Sequence, residues 1–290
     1  MTRASVTFLL TPLVLGATGR IGRALRYRWG PEAALWQARR AQSGAHWHVF
    51  DPLAQPEALA QAAQAAGQIL CLAGTVPARG EDLALNTHLA EAAVRAGAAA
   101  GVRVVLISSA AVYGAGQGAL HEETRLSPAN PYGAAKADME ARARALAAEL
   151  GVEVSVLRIG NIAGFDVILG GWKPGFRLDQ FKDGRTPRRS YIGVLTLADV
   201  IAALMEAPNL PDVLNIAQPG PIEMGALLQA AGRDFATVPA SDAAIAEVAL
   251  DLGRLSGFLA PKMQLHVADP VQMVAEMALL EPHMKDEASP

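Results

Sequence analysis

The run Gly16-Ala17-Thr18-Gly19-Arg20-Ile21-Gly22, directly after the apolar Leu13-Val14-Leu15, constrains this chain more than any other stretch. Glycines at this spacing, between a strand and a helix candidate, allow a tight turn, a close approach of the backbone to an anion, and close packing of helix on strand. The first helical amides then face that anion. The competing reading is an ordinary glycine-rich turn. Context favours the first reading, because apolar runs without polar alternation recur at Ile69–Leu72, Val102–Ile107 and Val152–Ile159, as strands covered on both faces require. Helix candidates lie between them at Gly19–Arg28, Pro56–Ala66, Glu81–Ala100 and Gly133–Leu150. The alternation predicts an α/β chain: a Rossmann-type doubly wound parallel sheet with a dinucleotide at the glycine turn.

The chain has 290 residues, 51% hydrophobic and 18% charged, enough for a large core and a smaller second lobe. Residues 1–159 are expected to form the dinucleotide-binding domain. Residues 160–290 are expected to form mainly a small C-terminal substrate-binding lobe, partly interleaved with the sheet, because the texture becomes loop-rich after Gly160. Further helices are predicted at Thr196–Glu206 and Met224–Ala231, a returning strand at Val213–Ile216, and a frayed polar tail from Glu281. A net charge of −3 with scattered Lys and Arg gives no footprint for nucleic acid. Cys71 is the single cysteine, which points to a reducing compartment. Met1–Leu15 has some features of a secretory signal, but Pro12 and the glycine run read Leu13–Leu15 as the first strand. No apolar run approaches the ~20 residues of a membrane span. A cytoplasmic protein without membrane or metal partners is the expectation.

The second strand candidate ends in Arg39-Arg40, about where an NAD-selective site places an acidic residue for the ribose 2′-hydroxyl. With Arg20 in the glycine loop, three guanidinium groups are expected to converge on a 2′-phosphate, so NADP is favoured over NAD. Solvated surface arginines are the alternative. Asp51 is a candidate for an adenine amino group or for a helix cap, and Ala73-Gly74 would bring small-residue backbone beside the dinucleotide.

Tyr132 and Lys136 stand one helical turn apart after Pro131, on one face and about 6 Å apart along the axis. A free phenol titrates near about 10, and a neighbouring ammonium favours phenolate. Tyr132 is then a general acid or base at a carbinol or carbonyl oxygen. Lys136 is expected to lower its pKa and hold the nicotinamide ribose, and Ser109 to hydrogen-bond the reacting oxygen.

The glycine run, Ile69–Gly74, Ser108–Gly114, Asn130–Lys136 and Leu157–Gly164 together resemble the extended short-chain dehydrogenase/reductase family, also described as NAD-dependent epimerases and dehydratases. The resemblance runs from Leu13 to Leu214. It implies nicotinamide-dependent hydride transfer with Ser109, Tyr132 and Lys136 as the catalytic triad, Gly16, Thr18, Gly19, Arg20, Ile21 and Gly22 around the cofactor, Asn161 near substrate, and a homodimer. The alanine-rich Glu81–Ala100 and Gly133–Leu150 helices are readable as its four-helix seam or as helices packed on the sheet within one subunit. Asn86 matches a frequent family asparagine, although helix-surface polarity explains it almost as well.

Family dehydratases carry an acidic pair after the serine position, where this chain has Ala110-Ala111, so dehydration is disfavoured. The Arg40–Asp51 interval is too short for the helix usually found there. Trp172, Arg177 and Arg188 lie in a cluster readable as an anion pocket with an apolar wall or as a flexible surface loop; Glu122 and Glu123 border the site or are simply solvated. Three functions stay open: net redox chemistry on a sugar-like small molecule, redox-neutral epimerisation of a sugar nucleotide, and non-catalytic dinucleotide sensing.

Overall fold

A computed structural model describes residues 6–76, 80, 82–116, 118–260 and 262–285. The first half alternates as the apolar runs require: β1 (Pro12–Leu15), α1 (Arg20–Trp29), β2 (Leu35–Ala38), β3 (Trp47–Val49), α2 (Pro56–Ala65), β4 (Gln68–Cys71), α3 (Leu85–Ala100), β5 (Val104–Ser109), β6 (Ala119–Leu120), α4 (Pro131–Leu150) and β7 (Val154–Ile159). Glu81, the predicted start of the third helix, lies outside the described residues. Next come β8 (Asn161–Ile162), β9 (Arg177–Gln180), β10 (Arg188–Arg189), β11 (Tyr191–Ile192), α5 (Val194–Met205), β12 (Val213–Ile216), β13 (Ile222–Glu223), α6 (Met224–Ala230), β14 (Ala236–Pro239), β15 (Glu247–Leu250), α7 (Gly253–Leu259) and α8 (Pro270–Lys285).

Among the described residues, β3-β2-β1-β4-β5-β7-β12 form one parallel sheet in that order. β1, β4 and β12 are buried along their full length, which is why their sequences show no polar alternation. One face packs on α1, α5 and α7 through Leu25, Trp29, Ile201, Leu204 and Leu255. The other packs on α2, α3 and α4 through Leu59, Val94, Met139 and Ala143.

α4 starts at Pro131, two residues before the sequence reading, because the Asn130 carboxamide oxygen accepts the Gly133 amide at 2.8 Å and Pro131 suits the first turn. β2 and β3 are parallel neighbours with no helix between them, as the short interval predicted.

β10 joins β13, β15 and β6 in a small sheet, and β8–β11 and β9–β14 are separate pairs. The expected polar tail is corrected here: α8 continues helical through 285, with Leu280 buried against α1 and α5 residues, and residues 286–290 lie outside the described set. Glu276 of α8 reaches the start of α5, where its carboxylate accepts the Leu195 and Thr196 amides at 2.8 and 3.0 Å and the Thr196 hydroxyl at 2.6 Å. It serves as the acceptor that this helix start lacks locally. No described helix is long and apolar enough to cross a membrane.

Candidate active site

The site is assembled at the carboxyl ends of β1, β2, β4 and β5. Gly16 has φ +76°, and a Cβ there would lie 2.7 Å from the Ala73 Cα, so the turn after β1 meets the loop after β4 backbone to backbone. Gly22 packs as closely, since a Cβ would lie 2.4 Å from the Ala17 carbonyl oxygen. The Gly16 amide donates to Gln37 Oε1 at 2.9 Å, and Gln37 Nε2 donates to the Phe50 carbonyl at 2.6 Å, tying the turn to β2 and β3. The first capped turn of α1 begins with Arg23 donating to the Gly19 carbonyl at 2.9 Å. The preceding Arg20, Ile21 and Gly22 amides have no side-chain cap and no acidic neighbour in that turn. This cradle fits the pyrophosphate of a dinucleotide.

Beyond Ala73 and Gly74, Asn86 braces the loop: its Oδ1 accepts the Thr75 amide at 3.2 Å and its Nδ2 donates to the Thr75 and Leu83 carbonyls at 3.1 and 3.0 Å. The helix-surface account of Asn86 is therefore wrong, for the residue is buried. A Cβ on Gly74 would stand 2.6 Å from Asn86 Oδ1 and 3.6 Å from Lys136 Nζ, so this loop passes directly over the lysine.

Ser109 ends β5, and its hydroxyl acts on the phenol of Tyr132 from the first turn of α4. Its Oγ also accepts the Ala111 amide at 3.2 Å. Burial pushes the Tyr132 phenol up, while the Ser109 bond and the Arg20 charge pull it down. Lys136, expected to lower the Tyr132 pKa and hold the ribose, donates to the Ile107 carbonyl at 3.0 Å. Burial pushes the Lys136 ammonium down to about 8, against the pull of Cys71 and Glu140. Between about pH 8 and 9 the unfolded chain binds more protons at this lysine than the folded one, so stability rises with pH. From about pH 8.5, where a free thiol ionises, the Cys71 thiol, which burial pushes up to about 11, opposes the rise and makes it shallower. Urea unfolding of the dinucleotide-free protein at pH 7.5–9 should show the increase, and Lys136→Met should abolish it.

Arg39 and Arg40 are exposed just past β2. The expected convergence with Arg20 is corrected: the Arg20 guanidinium lies 5.4 Å over the Phe165 ring and faces the Tyr132 side. Asp51 spends one carboxylate oxygen on the Leu53 and Ala54 amides, at 2.9 and 3.1 Å, closing a turn before α2. Thr18 accepts Arg23 Nε at its carbonyl at 3.0 Å, and Ile21 packs on the core. Asn161 lies opposite Tyr191 in the β8–β11 pair, and the Tyr191 hydroxyl donates to Asp166 Oδ2 at 2.6 Å.

Trp172, Arg177 and Arg188 do not converge. Trp172 donates its indole N–H to the Asp234 carbonyl at 2.9 Å beneath Arg233. Arg177 is exposed on β9. Arg188 is ion-paired with Glu247 and lines, with Lys182, Asp183 and Arg185, a cavity of about 730 Å³. Glu122 is not solvated: it is buried, with its carboxylate accepting the Asn215 amide at 2.9 Å, whereas Glu123 is exposed and paired with Arg254. Ala110 and Ala111 sit in the turn just past Ser109 and place no carboxylate there.

A buried network that the sequence did not disclose lies behind the triad. Glu140, one turn beyond Lys136, accepts Ser108 Oγ at 2.5 Å and Arg158 Nη2 at 2.7 Å. Arg158 also donates to the Tyr113 hydroxyl at 3.0 Å and the Glu122 carbonyl at 2.9 Å, and Tyr113 donates to Asn215 at 2.7 Å. The network locks α4 to β5, β7 and β12, and so fixes where Tyr132 and Lys136 stand.

A Rossmann-like sheet, a glycine turn opening a helix, and Ser, Tyr and Lys at the carboxyl edge define a dinucleotide-dependent enzyme class. The sequence model of the NAD dependent epimerase/dehydratase family matches residues 12–168, and the chain belongs to that family, within the extended short-chain dehydrogenase/reductases. No curated protein matches it by sequence. Among solved structures it is similar to the UDP-glucose-4-epimerase of Stenotrophomonas maltophila with bound NAD and formylated UDP-arabinopyranose, at 20% identity and TM-score 0.77 over 96% of this chain and 100% of that one. It is also similar to DesIV, the dTDP-glucose 4,6-dehydratase of Streptomyces venezuelae with NAD and TYD bound, at 20% identity and TM-score 0.72 over 95% and 99% of the two chains. A short-chain dehydrogenase/reductase superfamily protein of Agrobacterium tumefaciens with bound NAD aligns at 20% identity and TM-score 0.72, over 96% and 100%. These likenesses establish the shared fold.

Proposed function

We propose that the chain is an NAD(P)-dependent oxidoreductase acting at a carbinol or carbonyl carbon of a sugar-like or sugar-nucleotide substrate, with NADP favoured over NAD. The observation that carries this reading is a buried Lys136 held on the Ile107 carbonyl under the loop after β4, one helical turn from Tyr132, whose phenol Ser109 acts on. A bound nicotinamide supplies the hydride acceptor or donor. Ser109 holds the reacting oxygen, and Tyr132 takes its proton in oxidation and returns it in reduction. Burial favours the protonated phenol, the form that donates to a carbonyl oxygen. Lys136 binds the nicotinamide ribose. Ala73 and Gly74 line the dinucleotide, and the lobe built on β9, β10, β14 and β15 receives the rest of the substrate. The methyl groups of Ala110 and Ala111 argue against dehydration, which needs an acid and a base at those positions.

NADP is favoured because Arg39 and Arg40 end β2 without an acidic residue for a 2′-hydroxyl. Joint replacement Arg39→Ala and Arg40→Ala should weaken NADP about tenfold relative to NAD, measured as dissociation constants. An unchanged ratio would sink the 2′-phosphate reading. The broader test is the mass and absorbance of any dinucleotide carried through purification. A freely exchanging site supports net redox turnover, whereas tightly retained NAD would replace it with the redox-neutral epimerase reading.

A further inference from the structure

The β2–β3 crossover, residues 39–46, departs from what parallel neighbours ordinarily use. Such strands are usually joined by a dozen or more residues including a helix. Here a short loop makes the connection, and side chains brace it at successive carbonyls. Gln42 Nε2 donates to the Arg40 and Ala41 carbonyls at 3.2 and 3.1 Å. The Trp47 indole N–H donates to the Ser43 carbonyl at 3.1 Å, and Arg26 Nη2 to that of Ala45 at 3.0 Å. The Trp36 amide donates to the His46 carbonyl at 3.1 Å. His46 itself has φ +67°, a left-handed conformation that a non-glycine residue keeps only when its surroundings hold it there. At the centre of these contacts is a stack, with the Arg26 guanidinium 4.5 Å from the Trp47 ring centroid and 5.6 Å from that of Trp36. Trp36 is fully buried, so the stack is anchored in the core.

The carbonyls of Arg40, Ala41, Ser43, Ala45 and His46 are thus engaged, while the Arg39 and Arg40 side chains are exposed beside them. We infer that Trp47 and Arg26 are positioning residues for dinucleotide selectivity: their stack holds the crossover so that Arg39 and Arg40 meet the 2′-phosphate of NADP in place. This inference rests on the NADP reading above. A loop released from the stack must be ordered again when the phosphate binds, and that cost falls on NADP alone, since NAD makes no demand on the two arginines.

Titration calorimetry of the full chain with NADP+ and with NAD+ tests it. Trp47→Ala should weaken NADP+ about tenfold and leave NAD+ within about twofold, the unchanged NAD+ binding reporting an intact fold. Trp47→Phe, which keeps an aromatic face for Arg26, should restore most of the NADP+ affinity. Equal weakening of both dinucleotides by Trp47→Ala, or of neither, overturns the proposal. If the wild type prefers NADP+, and that preference disappears in Arg39→Ala with Arg40→Ala but survives in Trp47→Ala, the proposal fails while the NADP reading stands. A wild type without preference for NADP+ overturns both.

Discussion

Tyr132→Phe should lower turnover by about three orders of magnitude while leaving the dinucleotide dissociation constant nearly unchanged. The variant keeps the ring, its burial and the helix start capped by Asn130, and removes only the phenol hydroxyl. Proton transfer at the substrate oxygen then has no donor or acceptor on the chain, whereas the glycine cradle and the loop after β4 are untouched. Ser109→Ala should cost less, because the tyrosine remains. The measurement pairs steady-state rates on a panel of free sugars, sugar acids and nucleoside-diphosphate sugars with calorimetric binding of the dinucleotide. Undiminished turnover by Tyr132→Phe would refute the assignment of the proton carrier.

The largest loss of stability should come from Glu140→Ala. Glu140 and Arg158 are both buried, and their ion pair at 2.7 Å is supplemented by bonds to Ser108 and Tyr113. Removing the carboxylate strands a buried guanidinium, a loss of about 3–5 kcal/mol for pairs of this kind. A melting temperature lower by roughly 10 °C follows. Replacing both members by methionine should recover much of that loss, because an apolar pair of similar volume carries no desolvation cost. Thermal melts of the single and double variants separate the outcomes. If Glu140→Ala melts with the wild type, the pair is not what holds α4 against β5 and β7.

The parallel sheet was legible because its central strands are continuous apolar runs and its helices are alanine-rich segments between them; Val213–Ile216 was found with its correct ends. The glycine turn was legible because close backbone packing admits few other residues at Gly16 and Gly22. What escaped reading was decided by contacts across the chain. The strands β6, β10, β11 and β13 are two residues long, too short to carry a period. Glu122 reads as a loop carboxylate until β12 is placed beside it, and Asn86 as a helix-surface amide until the loop after β4 folds over it. Arg20 sits in a motif that predicts its backbone and not its side chain, which turned toward Phe165. The polar texture from Glu281 onward predicted a frayed tail, yet Met284 packs against the cluster of Ala24, Val194, Leu195 and Leu280 and its carbonyl accepts Arg23, contacts that composition does not reveal.

The reach of Glu276 to the start of α5 also bears on how the protein is made. As the chain leaves the ribosome, α5 emerges well before its acceptor, and the Leu195 and Thr196 amides wait for the carboxylate of Glu276 in a later helix. Over that interval the nascent sheet carries one covering helix unsatisfied at its start. The start of α5 is completed only once α8 has followed it, so these two helices mature together and not in succession.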